Sequence, residues 1–169
     1  ARNDSVINYL VKEFEMKKSA DQYTRTKLSK TGTINTNKLY SYKFNDDIKY
    51  VKNCFLNSKK PLILIGNGIR STNSIDILKE FLQKNPVPIV HSNSSIDIIE
   101  NSIGAISSMG YNANAKKAIK ETDFLLVLGN RLSPMTTIPH EEFAPKAKIV
   151  VVDTDVKEHF KDTIKIDGL

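Results

Sequence analysis

One cysteine, no tryptophan and three histidines are what this chain of 169 residues offers toward thiol, indole and imidazole chemistry. Cys54 has no second cysteine to pair with, which excludes an internal disulfide and fits a reducing, cytoplasmic setting. Its neighbours at helical spacing, Ile48, Val51 and Phe55, place it on an apolar stripe, so a buried, inert thiol is expected. His91, His140 and His159 lie far apart with no His or Cys at ligand spacing, and a zinc site needs three or four convergent ligands. No stretch approaches the ~18 consecutive apolar residues of a membrane span. The opening Ala1-Arg2-Asn3-Asp4 carries no hydrophobic signal core, so nothing marks secretion. Glycine is scarce too, with seven in the chain, and four of them sit at strand ends or turns that matter below.

The net charge of +6 is unevenly placed. Residues 1–44 hold nine basic against four acidic side chains, whereas residues 45–169 hold sixteen against fifteen. A basic segment is the electrostatic footprint of nucleic-acid binding. Here the lysines are scattered and not interleaved with stacking aromatics, so a solvated linker or docking tail is the better reading and no nucleic-acid partner is expected. Within that segment, Ile7, Leu10, Val11 and Phe14 share one helical face over Ser5 to Lys18. Ala20 to Tyr42 is polar, without a sustained period, and reads as a linker. The division is therefore 1–44, a basic N-terminal helix and linker, and 45–169, an α/β domain.

What is present is a set of buried strands. Pro61 to Ile65 and Phe124 to Leu128 are continuous apolar runs, as in parallel strands covered on both faces. The first runs into Gly66-Asn67-Gly68 and the second into Gly129-Asn130-Arg131. In open α/β sheets ligands bind outside such carboxyl ends, where turn amides face a crevice. Further strands are expected at Val87 to His91, Ile103 to Ser107, Ile149 to Val152 and Thr163 to Ile166. Helices are expected over Asn45 to Asn57 (capped by Asn45 or Asp46), Asn73 to Lys84, Ser94 to Asn101 and Ala113 to Lys120. This alternation implies a three-layer, mostly parallel, six-stranded Rossmann-like sheet with helices on both faces.

The chemistry-bearing motifs are sparse. Gly66-x-Gly68 has the strand-to-helix context of a phosphate turn. The dinucleotide fingerprint then fails at its third glycine, which is Ser71, and at the acidic residue expected after the next strand, where His91 and Ser92 stand. Asp153 and Asp155 could act as paired carboxylates, but alternate strand positions point to opposite faces. They read instead as strand-end acceptors for a turn. No catalytic residue and no metal ligand is assigned.

Three stretches together carry a resemblance: Lys60 to Gly68, Phe124 to Leu132, and Glu142 to Asp155. In order and spacing, Asp46 to Leu169 resembles the central domain of thiamine diphosphate-dependent enzymes, above all the acetolactate synthase-like group. The resemblance implies a parent with a pyrimidine-binding domain before this one and a diphosphate-binding domain after it. Thiamine diphosphate and magnesium would then sit between the outer two, usually across the interface of a homodimer or homotetramer. The activating glutamate belongs to the first domain and the magnesium motif, Gly-Asp-Gly followed by Asn, to the last. This chain contains no Gly-Asp-Gly, so the resemblance implies a fragment that neither binds thiamine diphosphate nor catalyses a reaction.

In acetolactate synthases the central domain holds FAD, and in some relatives ADP or nothing. The candidate nucleotide crevice is Gly66, Asn67, Gly68, Gly104, Gly110, Gly129, Asn130, Arg131 and Asp153, of which the resemblance implies the flavin loop at Gly104 to Gly110 and keeps Gly129, Arg131 and Asp153. Several features of that pattern are replaced. Its middle glycine is Ser107, and the histidine before Gly110 is Met109. Its Asp-Asp-Arg is Ser133-Pro134-Met135, and the following glycine is Ile138. Loss of the arginine removes a cationic donor and loss of the glycines blocks close backbone approach. A stand-alone module binding ADP, FAD or NAD is the alternative reading.

Overall fold

In a computed structural model, Lys12 and residues 44–107, 112–160 and 163–169 are described. Apart from Lys12, the expected helix and linker of residues 1–43 lie outside the described residues, as does Gly110. Helix α1 spans Phe44–Asn57 and β1 Pro61–Ile65. A four-residue helix α2, Gly68–Ser71, precedes α3, Ile75–Lys84. Then come β2 (Ile89–His91), β3 (Gly104–Ala105), α4 (Ala113–Glu121) and β4 (Phe124–Leu128). A short helix α5, Pro134–Thr137, and β5, Lys148–Val152, follow. The five strands form one parallel sheet in the order β3-β2-β1-β4-β5.

Alternation along each strand feeds two cores. Leu62 and Leu64 of β1, Leu125 and Val127 of β4, and Ile149 and Val151 of β5 pack with Ala115 and Ile119 of α4. On the opposite face Ile63, Ile65 and Leu128 meet Leu78 and Phe81 of α3. Val51 of α1 joins that side against Phe124 and Val150, with Cys54 and Phe55 packed alongside. Cys54 is half-buried there, a little more open than its apolar stripe implies. Phe55 sets its ring edge-to-face against Phe124 at 6.0 Å and Phe81 at 6.4 Å. Helices thus cover both faces, and the three-layer parallel architecture is as expected. Among the described residues no helix is long and apolar enough to cross a membrane.

The differences have local causes. β2 starts at Ile89 because Pro86 and Pro88 lack the amide a ladder needs. β3 is limited to Gly104–Ala105, which pair with Val90 and His91. The expected helix from Ser94 shrinks to a 3₁₀ turn over Asn93–Ser95. There the Ser95 hydroxyl donates to Ile65 O at 3.0 Å and Ser92 O at 3.1 Å, the side-chain competition that disfavours helix. α1 begins one residue early, so Asn45 and Asp46 stand inside its first turn instead of ahead of it. Asn73 adopts φ 54, which delays α3 to Ile75.

The sixth strand, Thr163 to Ile166, does not form. Pairing with β5 is a single bridge, Val150 with Gly168. Val151 N donates to Gly168 O at 2.9 Å and Asp167 N to Ile149 O at 2.8 Å, but the Asp167 carboxylate accepts from Ile149 N at 2.9 Å. A side chain therefore holds an amide that a continuing strand would need. Ile164 and Ile166 still pack on the α4-side core.

At the amino end, Asp123 ties the α1–β1 connection to β4. Its carboxylate accepts from the Ser58 hydroxyl, from Lys59 N at 2.8 Å and from Lys60 N at 3.0 Å. Burial pushes this carboxyl up, but those three bonds outweigh it and hold it below the usual carboxylate range. A depressed folded pKa contributes stability above the unfolded value, ~3.9, and loses it as pH falls through the folded value. Urea midpoints should therefore drop on acidification below about pH 4, and Asp123→Asn should flatten that drop while lowering the midpoint at pH 7. An equally steep acid limb in Asp123→Asn would remove Asp123 from the account.

Candidate functional site

The strand order reverses beside β1: the chain moves out through β2 and β3, then returns to the other side through β4. That makes the carboxyl ends of β1 and β4 the switch point, the place where open α/β sheets bind ligands. Both glycine turns meet there, because the parallel register sets Ile65 beside Leu128. Gly66 N donates to Leu128 O and Gly68 N to Gly129 O, both at 2.9 Å. Gly129 N donates onward to Val152 O at 2.9 Å. The expectation that these turn amides face a crevice is therefore corrected for Gly66 and Gly68, whose N–H groups are bonded to the neighbouring turn.

The glycines are required by that contact. A Cβ on Gly68 would lie 2.6 Å from Gly129 Cα, and one on Gly66 would lie 2.7 Å from Asn130 Cα. Gly129 also has φ +58, a left-handed conformation that suits a residue without a Cβ. Asn130 is buried, and its Oδ1 accepts from Leu132 N at 2.8 Å, supporting the φ of 49 at Leu132. Asn67 is exposed and accepts from Arg70 Nε at 3.3 Å, while Arg70 pairs with Asp97 at 2.5 Å. Arg131 is exposed.

The remaining crevice residues stand apart from this contact. Gly104 lies on edge strand β3 with φ +145, and a Cβ there would come within 2.6 Å of Asn112 Cγ. Asn112 is itself the cap of α4, accepting from Asn114 N at 3.0 Å and Ala115 N at 3.2 Å. Asp153 follows β5 on the far side of β4. Its Oδ2 lies 3.2 Å from Nε2 of His159, whose side chain is 1% exposed. Its Oδ1 accepts from Asp155 N at 3.1 Å, and Asp155 in turn caps a 3₁₀ turn, Val156–His159, through Lys157 N. The strand-end acceptor reading of both aspartates agrees with these bonds. Burial pushes Asp153 up, yet the His159 bond and the Asp155 and Thr154 amides hold it below the usual range.

Sequence reasoning missed His159 as Asp153's partner, because six residues and a turn separate them. It also missed Asn112, although an Asn just before an alanine-rich helix is a cap signal. Cofactor fit follows from the donor set. Among the described residues no group of three or more His, Cys, Asp or Glu is placed to hold a metal ion. A flavin or adenine nucleotide would need outward donors, and the two flanking glycine amides of the first turn do not supply them.

The fold and the switch-point turns define an open parallel α/β domain of the doubly wound kind. Residues 48–167 match the family model described as "Thiamine pyrophosphate enzyme, central domain", and the chain belongs to that family. It is 32% identical over 111 residues to an acetolactate synthase large subunit of Buchnera aphidicola subsp. Schizaphis graminum, covering 64% of this chain and 19% of that protein. An acetolactate synthase large subunit of Lactococcus lactis is 30% identical over 105 residues, covering 60% of this chain and 18% of that protein. A 3D-(3,5/4)-trihydroxycyclohexane-1,2-dione hydrolase of Listeria monocytogenes is 26% identical over 116 residues, covering 66% and 18%. The chain thus spans less than one fifth of the length of each of these relatives.

Proposed function

We propose that this chain is the non-catalytic central domain of a larger thiamine diphosphate-dependent enzyme of the acetolactate synthase-like group. The observation that carries the reading is the central-domain match over residues 48–167, joined to relatives several times longer than the matched segment. In the parent, thiamine diphosphate and magnesium would lie between a pyrimidine-binding and a diphosphate-binding domain, in a homodimer or homotetramer. The parent would form or cleave a carbon–carbon bond beside a carbonyl, starting from a 2-oxo acid, with the thiazolium as electron sink. Residues 45–169 would hold the two outer domains in register, and residues 1–44 would form a basic connection ahead of them.

One feature favours a structural role for the domain itself: at the switch point the Gly66, Gly68 and Gly129 amides and the Asn130 side chain bond within the fold. The test is the reading frame that encodes the chain. A Gly-Asp-Gly followed by Asn downstream, with a further domain upstream, is expected. A frame that ends with this domain would favour the stand-alone nucleotide module.

A further inference from the structure

We propose that the carboxyl-end crevice between β1 and β4 is a closed joint, built to lock two turns together, and takes no FAD, ADP or NAD through the residues that mark it. The inference deepens the structural role proposed above and rests on it for the choice of nucleotides.

A diphosphate bound at a strand-to-helix turn needs amide N–H groups pointing outward. Gly66 and Gly68 instead donate to Leu128 O and Gly129 O, each at 2.9 Å, so both amides run along the sheet. Turning them toward a ligand would break the bonds that hold β1's turn to β4's. Nor is there room for anything between the two turns as they stand. Gly66 and Gly68 pack so closely on Gly129 and Asn130 that even one added Cβ meets backbone atoms.

The carboxylate that could accept ribose hydroxyls already has one partner within the fold at each oxygen. Asp153 holds His159 through Oδ2 and Asp155 N through Oδ1. A hydroxyl displacing His159 would strand a buried imidazole, because its Nδ1 is already buried without a hydrogen-bond partner among the described residues. An unsatisfied buried polar group is costly, so the exchange is disfavoured. Asn130 Oδ1 is held by Leu132 N, and the space left by Gly104 is filled by the Asn112 cap. Among the described, unexposed residues of the pattern, Gly66, Gly68 and Gly129 donate their amides, and Asn130 and Asp153 bond through their side chains, within the fold. Asn67 and Arg131 are the exposed members, and two surface side chains do not build a cradle.

The experiment is amide NMR on the full ¹⁵N-labelled chain, free and titrated with FAD, ADP and NAD. In the free protein the Gly66 and Gly68 amides should exchange slowly with deuterium, and no nucleotide should shift Gly66, Gly68, Gly129 or Asn130. Protein carried through gel filtration with FAD should emerge colourless. Fast exchange of both glycine amides, a saturable shift at these four residues, or stoichiometric yellow flavin would overturn the proposal. Any of these would leave the family reading standing. A reading frame without the outer domains would instead remove the parent enzyme while leaving the amide protection unchanged.

Discussion

Gly129→Ala should be among the most damaging single-methyl additions the chain can receive. The new Cβ would lie 2.7 Å from Gly68 Cα and 2.8 Å from Ile69 N, and both obstacles are backbone. Overpacking of this kind costs about 1–3 kcal/mol. The left-handed φ of +58 adds a further ~1–2 kcal/mol for any L side chain. Together the loss should be about 3 kcal/mol, read as a lower urea midpoint at unchanged slope. Gly168→Ala is the control, because the nearest atoms to its Cβ would be side-chain ones, the Tyr50 ring at 3.2 Å and the Val150 methyls at 3.4 and 3.5 Å. That substitution should cost no more than ~1 kcal/mol. Equal losses in the two variants would show that the turn-to-turn contact carries no special weight.

Phe124→Ala should cost about 3–5 kcal/mol, the usual range for emptying an aromatic core site. Phe124 is 1% exposed at the start of β4, packed with Val51 of α1 and Val150 of β5, and its ring meets that of Phe55 in a T-shaped pair. The site cannot collapse easily, since β4 is hydrogen-bonded on both sides, to β1 and to β5. Its removal also loosens α1, the helix that leads into the sheet. Far-ultraviolet circular dichroism during urea titration should show the loss as one cooperative transition at lower denaturant. A loss below ~1 kcal/mol would mean that α1 does not depend on this contact.

The parts of the fold that could be read from the chain are those in which one residue type repeats along an element. Pro61 to Ile65, Phe124 to Leu128 and Ile149 to Val152 are apolar on both faces, and only a covered parallel strand buries every position. Order in the sheet is less visible. That β4 lies against β1, and not beyond β3, follows from packing across the whole domain, and it alone brings Gly66 and Gly68 against Gly129. The glycines were therefore legible as special positions, but a phosphate turn and a turn-to-turn lock ask for the same residue. The bond from His159 to Asp153 was hidden for a related reason: a 3₁₀ turn folds back by an amount that no periodicity encodes. Likewise the alternation at Thr163 to Ile166 reads as a strand, yet the Asp167 carboxylate takes the Ile149 amide and confines pairing to Gly168.

The relatives place the chemistry of this family in chains about five times longer than the matched segment. A central domain by itself would then be a spacer with a rigid interior, whose value to the parent is geometric. That claim is tested most directly by turnover. The isolated chain, supplied with thiamine diphosphate, magnesium and pyruvate, should release carbon dioxide and form acetolactate at the rate of a heat-inactivated control. Turnover clearly above that control would contradict the account, because it would require a complete cofactor site within these 169 residues.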